Sequence, residues 1–84
     1  MDTEDIKPEL VAKAFGEVLR RYRRERGLSQ EKLAEICDLD RSYMSLLERG
    51  INQPSLTVFL KLAHALNISA AEMVEAVKKT VLEV

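Results

Sequence analysis

The sequence has little of what disulfide-linked, membrane-spanning or turn-rich proteins need. One cysteine in 84 residues excludes an internal disulfide and suggests a reducing compartment, the cytoplasm. No apolar run approaches the roughly 18 residues of a membrane helix. The chain begins with Asp2, Glu4 and Asp5, where a secretion signal would be basic and then apolar. Three Gly and two Pro supply few turns, which favours an all-α domain over a sandwich or a barrel.

Residues that carry catalysis or hold cofactors are also scarce. His64 and Cys37 lie 27 positions apart and match no zinc-binding spacing. Gly16, Gly27 and Gly50 are isolated from one another and form no phosphate-binding loop. A single domain of this length leaves little room for a catalytic pocket. We therefore expect no enzymatic activity, no metal or cofactor and no small-molecule ligand.

The net charge of −1 hides an uneven distribution of charge along the chain. Residues 1–19 carry −3, residues 20–61 carry +3 and residues 62–84 carry −1. A cluster of bases can form a nucleic-acid-binding face, or it can be a solvated helix face. The run alone does not decide between these two interpretations. Five of the bases are Arg20, Arg21, Arg23, Arg24 and Arg26.

Start and stop residues divide the chain into five predicted helices. Left-handed stops are predicted at Gly27, Gly50 and Asn67, after helices 1, 3 and 4. Glu72 completes a predicted capping box at the start of helix 5, which covers about residues 70–82. Helix 1 covers about residues 8–26. The predicted first-turn or N-cap residues of helices 1 to 5 are Pro8, Ser29, Asp40, Ser55 and Ser69.

Apolar side chains recur at three- and four-residue spacing in these helices, which predicts their buried faces. For helix 1 the predicted inward residues are Val11, Phe15, Val18, Leu19 and Tyr22. For helices 2 and 4 they are Leu33, Ala34, Ile36, Cys37, Leu56, Phe59, Leu62, Ala63 and Leu66.

The segment from residue 30 to residue 49 carries the functional signal. Residues 38–40 are too short a link for antiparallel packing, so helices 2 and 3 must cross steeply, as in a helix-turn-helix. On a helical wheel Met44 and Leu47 of helix 3 face inward. Arginine and serine suit hydrogen bonds to base edges, and leucine suits a thymine methyl group. The outward side chains are Ser42, Ser45, Leu46 and Arg49, with Arg41 at the edge of this face near the start of the helix.

Those outward side chains also permit a plainer interpretation. On an isolated helix Leu46 would be a half-buried packing residue, and Ser42 and Ser45 would only be exposed to solvent. The position of helix 3 directly after the steep crossing favours base reading instead.

Four stretches of the chain match one pattern: RERGLSQEKLA at 24–34, DRSYMSLLERG at 40–50, NQPSL at 52–56 and LKLAHALNIS at 60–69. Together they resemble the lambda-repressor/Cro-type helix-turn-helix family, also called the xenobiotic-response-element family, of bacterial and phage regulators. The resemblance covers about 60 of the 84 residues, from Phe15 to Met73. It implies an all-α, five-helix DNA-binding domain over residues 1–84, with the helix-turn-helix formed by helices 2 and 3.

The resemblance also implies a function and residue roles. It implies a sequence-specific, double-stranded DNA-binding transcriptional regulator with base-reading residues Arg41, Ser42, Ser45 and Leu46. It implies contacts with the DNA backbone from Gln30, Tyr43, Arg49, Asn52 and Gln53. Arg23 and Glu48 match a structural ion pair between helices 1 and 3. The family usually has glycine where this chain has Asp38, at a cost of about 1 kcal/mol for the left-handed conformation.

A homodimer on an inverted repeat is expected, because one helix-turn-helix makes few contacts and half-sites lie about 34 Å apart. Helix 5 offers an apolar stripe for this interface, and its C-terminal valines extend past what so small a domain would cover. The alternative is a frayed C-terminus with exposed valines. Residues 1–7 are predicted to be a loose acidic tail. The predicted interface residues are Met73, Val74, Val77, Val81 and Val84.

Three kinds of free-standing regulator fit a domain of this length: restriction–modification controller proteins, small phage-type repressors and antitoxins. The stretch DRSYMS resembles the controller proteins most, and these activate or repress by operator position. RNA polymerase is then a further candidate partner besides DNA and a second copy of the chain. The alternative function is an antitoxin or adaptor whose main partner is another protein, with DNA binding secondary.

Overall fold

The computed structural model describes residues 2–83, in which a short N-terminal 3-10 helix precedes five α-helices. None of the described residues is in a strand, and the prediction of an all-α, five-helix domain is confirmed. No helix within residues 2–83 is long and apolar enough to cross a membrane. The helices are α1 (Pro8–Glu25), α2 (Gln30–Ile36), α3 (Arg41–Glu48), α4 (Leu56–Ala65) and α5 (Ala70–Leu82).

Serine side chains cap the N-termini of three of the helices, as the sequence predicts. Ser29, Ser55 and Ser69 each accept a hydrogen bond from the backbone N–H three residues later, at 3.0, 3.1 and 3.0 Å. Each bond satisfies one amide that has no partner inside the helix. The predicted capping box at α5 is half present, since no bond from Glu72 back to the Ser69 amide occurs among the described residues. Asp40 stands at the N-cap of α3, but its side chain caps no amide.

The predicted helix stops have the left-handed backbone conformation. Gly27 and Gly50 have φ of 67° and 72°, and Asn67 has φ of 55°. Asp38 has φ of 54° in the turn between α2 and α3, at the position where the family that the chain resembles usually has glycine. Asp and Asn are the non-glycine residues that tolerate this region best, so the turn keeps its shape with an aspartate.

The core lies between α1 and the other helices, with α1 against both α3 and α5. Its fully buried side chains include Met44 and Leu47, as predicted for the inward face of α3. Gly16 lets α1 approach α3 closely, because a Cβ there would lie 2.6 Å from the Glu48 carbonyl oxygen and 2.7 Å from that of Leu47. This contact places the C-terminal end of the predicted recognition helix directly against α1.

Two predicted core residues are exposed instead. Ile36 is 50% exposed, because it lies roughly 200° around the helix from Ala34, on the side of α2 away from the core. Leu56 is 73% exposed, because α4 begins at this residue, before the helix reaches the core. The prediction for Ile36 was wrong because helical geometry itself places this residue on the opposite side from Ala34, and the prediction for Leu56 was wrong because periodicity does not show where a helix meets the core.

The acidic N-terminal residues form an ordered turn rather than the predicted loose tail. Thr3–Asp5 is a 3-10 helix, and the Asp2 carboxylate accepts a bond from the Thr3 amide at 2.9 Å. The Asp5 carboxylate accepts in return from the Asp2 amide at 3.2 Å. These reciprocal caps hold a turn whose side chains are all exposed, as the sequence predicts for them.

Candidate nucleic-acid interface

The turn between α2 and α3 is held by backbone hydrogen bonds. The Leu39 amide donates to the Ala34 carbonyl at 2.8 Å, and the Asp38 amide donates to the Glu35 carbonyl at 3.2 Å. Ala34 is buried, and its small side chain lets α3 pass close to the end of α2. Because the turn is short and bonded at both positions, α3 leaves it in a fixed direction relative to α2.

Of the four predicted base-reading residues, Ser42 and Leu46 lie opposite buried Met44 on α3, and Arg41 and Ser45 lie at the margins of that face. Arg41 and Ser42 are exposed, and Ser45 and Leu46 are half-buried. The Ser42 hydroxyl donates to the Asp40 carboxylate at 2.8 Å, which orients the first turn of the helix.

Arg41 is only weakly restrained in this arrangement. Its Nη1 lies 3.9 Å from the Glu31 carboxylate, and both side chains are well exposed. Exposed pairs of this kind contribute little to stability, about 0–1 kcal/mol. The Arg41 guanidinium can therefore leave Glu31 for another acceptor at little cost.

Two of the five predicted backbone-contacting residues are engaged inside the protein. The Gln53 amide donates to the Pro8 carbonyl at 3.1 Å and ties the loop before α4 to the start of α1. The Gln30 amide donates to Glu48 at 3.0 Å. Tyr43 packs against the core, Arg49 is exposed and Asn52 is half-buried.

Arg23 and Glu48 form a buried ion pair that joins α1 to the end of α3. Arg23 Nη2 donates to Glu48 Oε1 at 2.9 Å, and Arg23 Nε donates to Glu48 Oε2. Arg23 Nη1 donates to the Leu28 carbonyl at 2.8 Å, so the same guanidinium also holds the loop that leads to α2. The Arg23 side chain therefore bonds both the loop that precedes α2 and the last residue of α3.

The pair shifts the ionisation of both partners toward the charged forms. Burial alone would raise the pKa of Glu48, but hydrogen bonds from Arg23 and Gln30, together with the Arg23 charge, hold that pKa below its ordinary value. The hydrogen bond to Glu48 raises the pKa of Arg23 above its ordinary value, against the effect of burial. Glu48 is therefore a carboxylate at neutral pH despite being buried.

Arg20 is a member of this network that sequence reasoning did not single out. Its Nε donates to Glu48 Oε1 at 3.4 Å, from one helical turn before Arg23. The three-residue spacing between Arg20 and Arg23 places both on one face of α1, and this signal was available in the sequence.

The predicted dimer residues are divided between the core and the surface. Met73 is fully buried and Val81 is 9% exposed, so neither is available to a second copy. Val81 was expected to extend beyond the domain, but α5 packs along α1, which is 18 residues long, and Val81 is covered. Val74 is 53% exposed and Val77 is half-buried. Val84 lies outside the described residues.

An apolar groove of about 390 Å³ runs beside the exposed part of α5. It was not predicted, because its walls come from α1, the loop before α4, α4 itself and α5. The apolar side chains that line it are Val11, Phe15, Pro54, Leu56, Phe59, Val74 and Val77. Among the described residues no group of His, Cys, Asp and Glu is placed to hold a metal ion.

Comparison with known proteins gives a consistent match to this arrangement. The sequence model of a family described as "Helix-turn-helix" matches residues 19–73. An uncharacterized HTH-type transcriptional regulator, y4dJ of Sinorhizobium fredii, is 37% identical over 70 residues, which are 83% of this chain and 91% of that protein.

Two solved structures of controller proteins also resemble the chain. The restriction-modification controller protein C.AhdI of Aeromonas hydrophila is 48% identical, with a TM-score of 0.71 over 74% of this chain and 94% of that one. The controller protein C.Esp1396I was solved as a tetramer in complex with its natural 35-base-pair operator. It is 28% identical, with a TM-score of 0.76 over 86% of this chain and 95% of that one.

Proposed function

The chain belongs to the helix-turn-helix family, and we propose that it is a sequence-specific, double-stranded DNA-binding transcriptional regulator. The observation that supports this most directly is the solvent face of α3. A buried face fixes the helix against α1 and α2, while polar side chains and one leucine remain on the outside. A helix held in this way can enter a major groove with its base-reading side chains directed outward.

We assign base reading to the four residues on that face. Arg41, at the start of α3, has the fork of donors that matches the acceptors of guanine. Ser45 donates to or accepts from base edges, Ser42 accepts through the hydroxyl oxygen whose proton it donates to Asp40, and Leu46 suits a thymine methyl group. Arg49 and Asn52 follow the C-terminal end of α3, and we propose that they contact the DNA backbone.

Gln30, Tyr43 and Gln53 complete the proposed backbone contacts, although two of them already have protein partners. A glutamine amide has two N–H donors, and Gln30 and Gln53 each use one in the bonds to Glu48 and Pro8. The second N–H of each remains for a phosphate oxygen. The internal bonds hold these amides in place before DNA arrives.

We propose that the regulator binds as a homodimer through the exposed part of α5 and the adjacent apolar groove. Val74 and Val77 from the predicted interface remain accessible, and Leu56 projects beside them. The C.Esp1396I controller was solved as a tetramer on its operator, which supports self-association in this family. The five helices then act as one DNA-binding domain, with α5 as its dimerisation element.

Within the family we propose a restriction–modification controller protein. The resemblance to C.AhdI, at 48% identity over most of both chains, supports this subclass. A controller that activates transcription would also contact RNA polymerase, and it would work in the cytoplasm. The three proteins compared above are regulators or controllers, and we expect a regulatory rather than an enzymatic function here.

Selection of binding sites from a random duplex library tests the proposed function. The purified chain should enrich an inverted repeat with half-sites about one helical turn apart, at low and at moderate salt. Replacing Arg41 and Ser42 together by alanine should remove the sequence preference, whereas non-specific affinity should fall much less.

Lys61→Ala is the matched control for that double variant, because it removes the same charge from an exposed position on α4 that does not line the groove. It should enrich the same repeat as the wild-type chain. Binding that weakens steeply with salt and enriches no sequence would contradict the proposal, because it needs only phosphate contacts. That result would favour an antitoxin or adaptor with a protein partner.

A further inference from the structure

We propose that Arg20 is a further DNA-backbone ligand, which binds one phosphate group together with Gln30. This inference rests on the proposed function and extends it to a residue on α1, outside the helix-turn-helix itself. It follows from the arrangement of three side chains around the buried carboxylate of Glu48.

Arg20 and Gln30 have their polar ends side by side, because both donate to the same oxygen atom. Arg20 Nε lies 3.4 Å from Glu48 Oε1, and Gln30 Nε2 lies 3.0 Å from it. The two residues come from different helices, α1 and α2. Their shared acceptor therefore sets a guanidinium and an amide next to each other at the surface.

The positive charge of Arg20 is not required to balance the negative charge of Glu48. The Glu48 side chain is fully buried, and Arg23 already pairs with both of its oxygens. The contact from Arg20 is longer and uses only Nε, and the Arg20 side chain is 42% exposed. Both Nη groups of Arg20 have no hydrogen-bond partner within residues 2–83. The network thus has one excess positive charge directed to solvent.

Other charged groups around Arg20 nearly balance one another. A shallow hollow of about 380 Å³ is lined by Arg20, Arg21 and Arg24 and by Glu17, Glu25 and Glu48. Neither Glu17 nor Glu25 lies within 4 Å of an Arg20 nitrogen. The guanidinium of Arg20 is therefore free to bind an anion brought from outside.

A phosphate group fits this pair of donors. Its non-bridging oxygens can accept parallel hydrogen bonds from the two free Nη groups of an arginine, which is the geometry that arginine favours. The second N–H of the Gln30 amide can reach the same group. Glu48 is then a positioning residue: it orients both donors and itself stays buried and neutralised by Arg23.

The test measures how the binding constant for a duplex changes with salt. Each lost phosphate contact reduces the slope of log K against log salt by about 0.9 for B-DNA. Arg20→Gln should show this smaller slope, and its affinity for operator and for random duplex should fall by the same factor, roughly tenfold. Arg20→Lys, which keeps the charge, should keep most of the slope.

Arg21→Gln is the matched control, because it removes the same charge from the next residue of α1. Arg21 lies 5.3 Å from the ring of Tyr22 and lines a second hollow with Glu72 and Glu75 of α5. Its slope and affinity should stay close to wild type. Thermal melting of each variant reports separately on stability.

Two results would overturn the Arg20 assignment and leave the proposed function intact. An unchanged salt slope in Arg20→Gln, with or without a lower melting temperature, would show that Arg20 only braces Glu48. Equal losses in Arg20→Gln and Arg21→Gln would show a general effect of net charge rather than a contact. A wild-type chain that binds no duplex at any salt would instead refute the proposed function, and the Arg20 assignment with it.

Discussion

At the scale of single residues, Glu48 has more polar partners than any other side chain in the interface. It is the last residue of α3, and its carboxylate accepts hydrogen bonds from Arg20, Arg23 and Gln30. A buried carboxylate is costly unless its oxygens are bonded and its charge is balanced, and here both conditions are met. One acidic residue therefore fixes the relative positions of α1, α2 and α3.

Replacing Glu48 by glutamine should destabilise the protein by about 3–5 kcal/mol, because the buried Arg23 charge would lose its counter-ion. Urea denaturation followed by circular dichroism measures this change in the free energy of unfolding. Glu31→Gln is the control, since Glu31 is exposed and its ion pair with Arg41 is loose, at 3.9 Å. This substitution should cost less than about 1 kcal/mol. Equal effects of the two substitutions would contradict a structural role for the ion pair.

The low pKa of Glu48 predicts how stability depends on pH. The carboxylate is stabilised in the folded chain, so its contribution is complete above the ordinary glutamate pKa of about 4.3. It is lost as the pH falls through the lower pKa of the folded state. The difference in unfolding free energy between wild type and Glu48→Gln should therefore be constant near neutral pH and shrink below about pH 4. A difference that is the same at pH 7 and pH 3 would refute this assignment.

At the scale of elements, the contact between α1 and α3 depends on a residue without a side chain. Gly16 lies in the middle of α1, where glycine is normally unfavourable by about 1 kcal/mol relative to alanine. The carbonyl oxygens of Leu47 and Glu48 occupy the space that a Cβ would need. The close approach of the helices therefore outweighs the helix propensity of α1.

Gly16→Ala should therefore destabilise the protein, by about 1–3 kcal/mol, despite the better helix propensity of alanine. The atoms in the way belong to backbone and cannot rotate aside as a flexible side chain could. Displacing α3 should also weaken operator binding more than non-specific binding. Thermal melting and duplex binding measure the two effects, and Glu17→Ala, at an exposed position of the same helix, is the control for stability. A variant as stable as wild type would show that α3 can shift freely.

In the molecule as a whole, two exposed apolar side chains converge on one groove. Leu56 and Val74 meet at the groove between α4 and α5, and Val77 extends it toward the core. The other exposed large apolar side chains do not line this groove; they are Ile6, Ile36, Ile51, Leu60 and Leu82. Apolar side chains that converge on a concave surface are more typical of an interface than ones scattered singly.

Charge placed in the groove should separate a dimer into monomers. Leu56→Asp and Val74→Asp each place an unpaired carboxylate in an apolar contact, and each should weaken self-association by at least about tenfold. Sedimentation equilibrium measures the association constant, and the affinity for an inverted repeat should fall with it. Leu60→Asp is the control, because Leu60 is exposed outside the groove. If all three variants remain dimeric, the groove is not the interface.

Local interactions along the chain were enough to predict the helices and the short turn between α2 and α3. Caps such as Ser29 and Ser55 act over three residues, and left-handed stops such as Gly27 and Asn67 act at one position. The inward face of α3 likewise follows from helical periodicity. These signals do not depend on how the chain is packed.

Only the tertiary structure decided which side chains are covered and which polar groups are already bonded. Val81 is buried because α5 packs along α1, and Leu56 is exposed because α4 begins at this residue, before the helix reaches the core. Gln30 bonds a residue 18 positions away and Gln53 one 45 positions away. Partners so distant in sequence are brought together by packing of whole helices, so no local pattern predicts them.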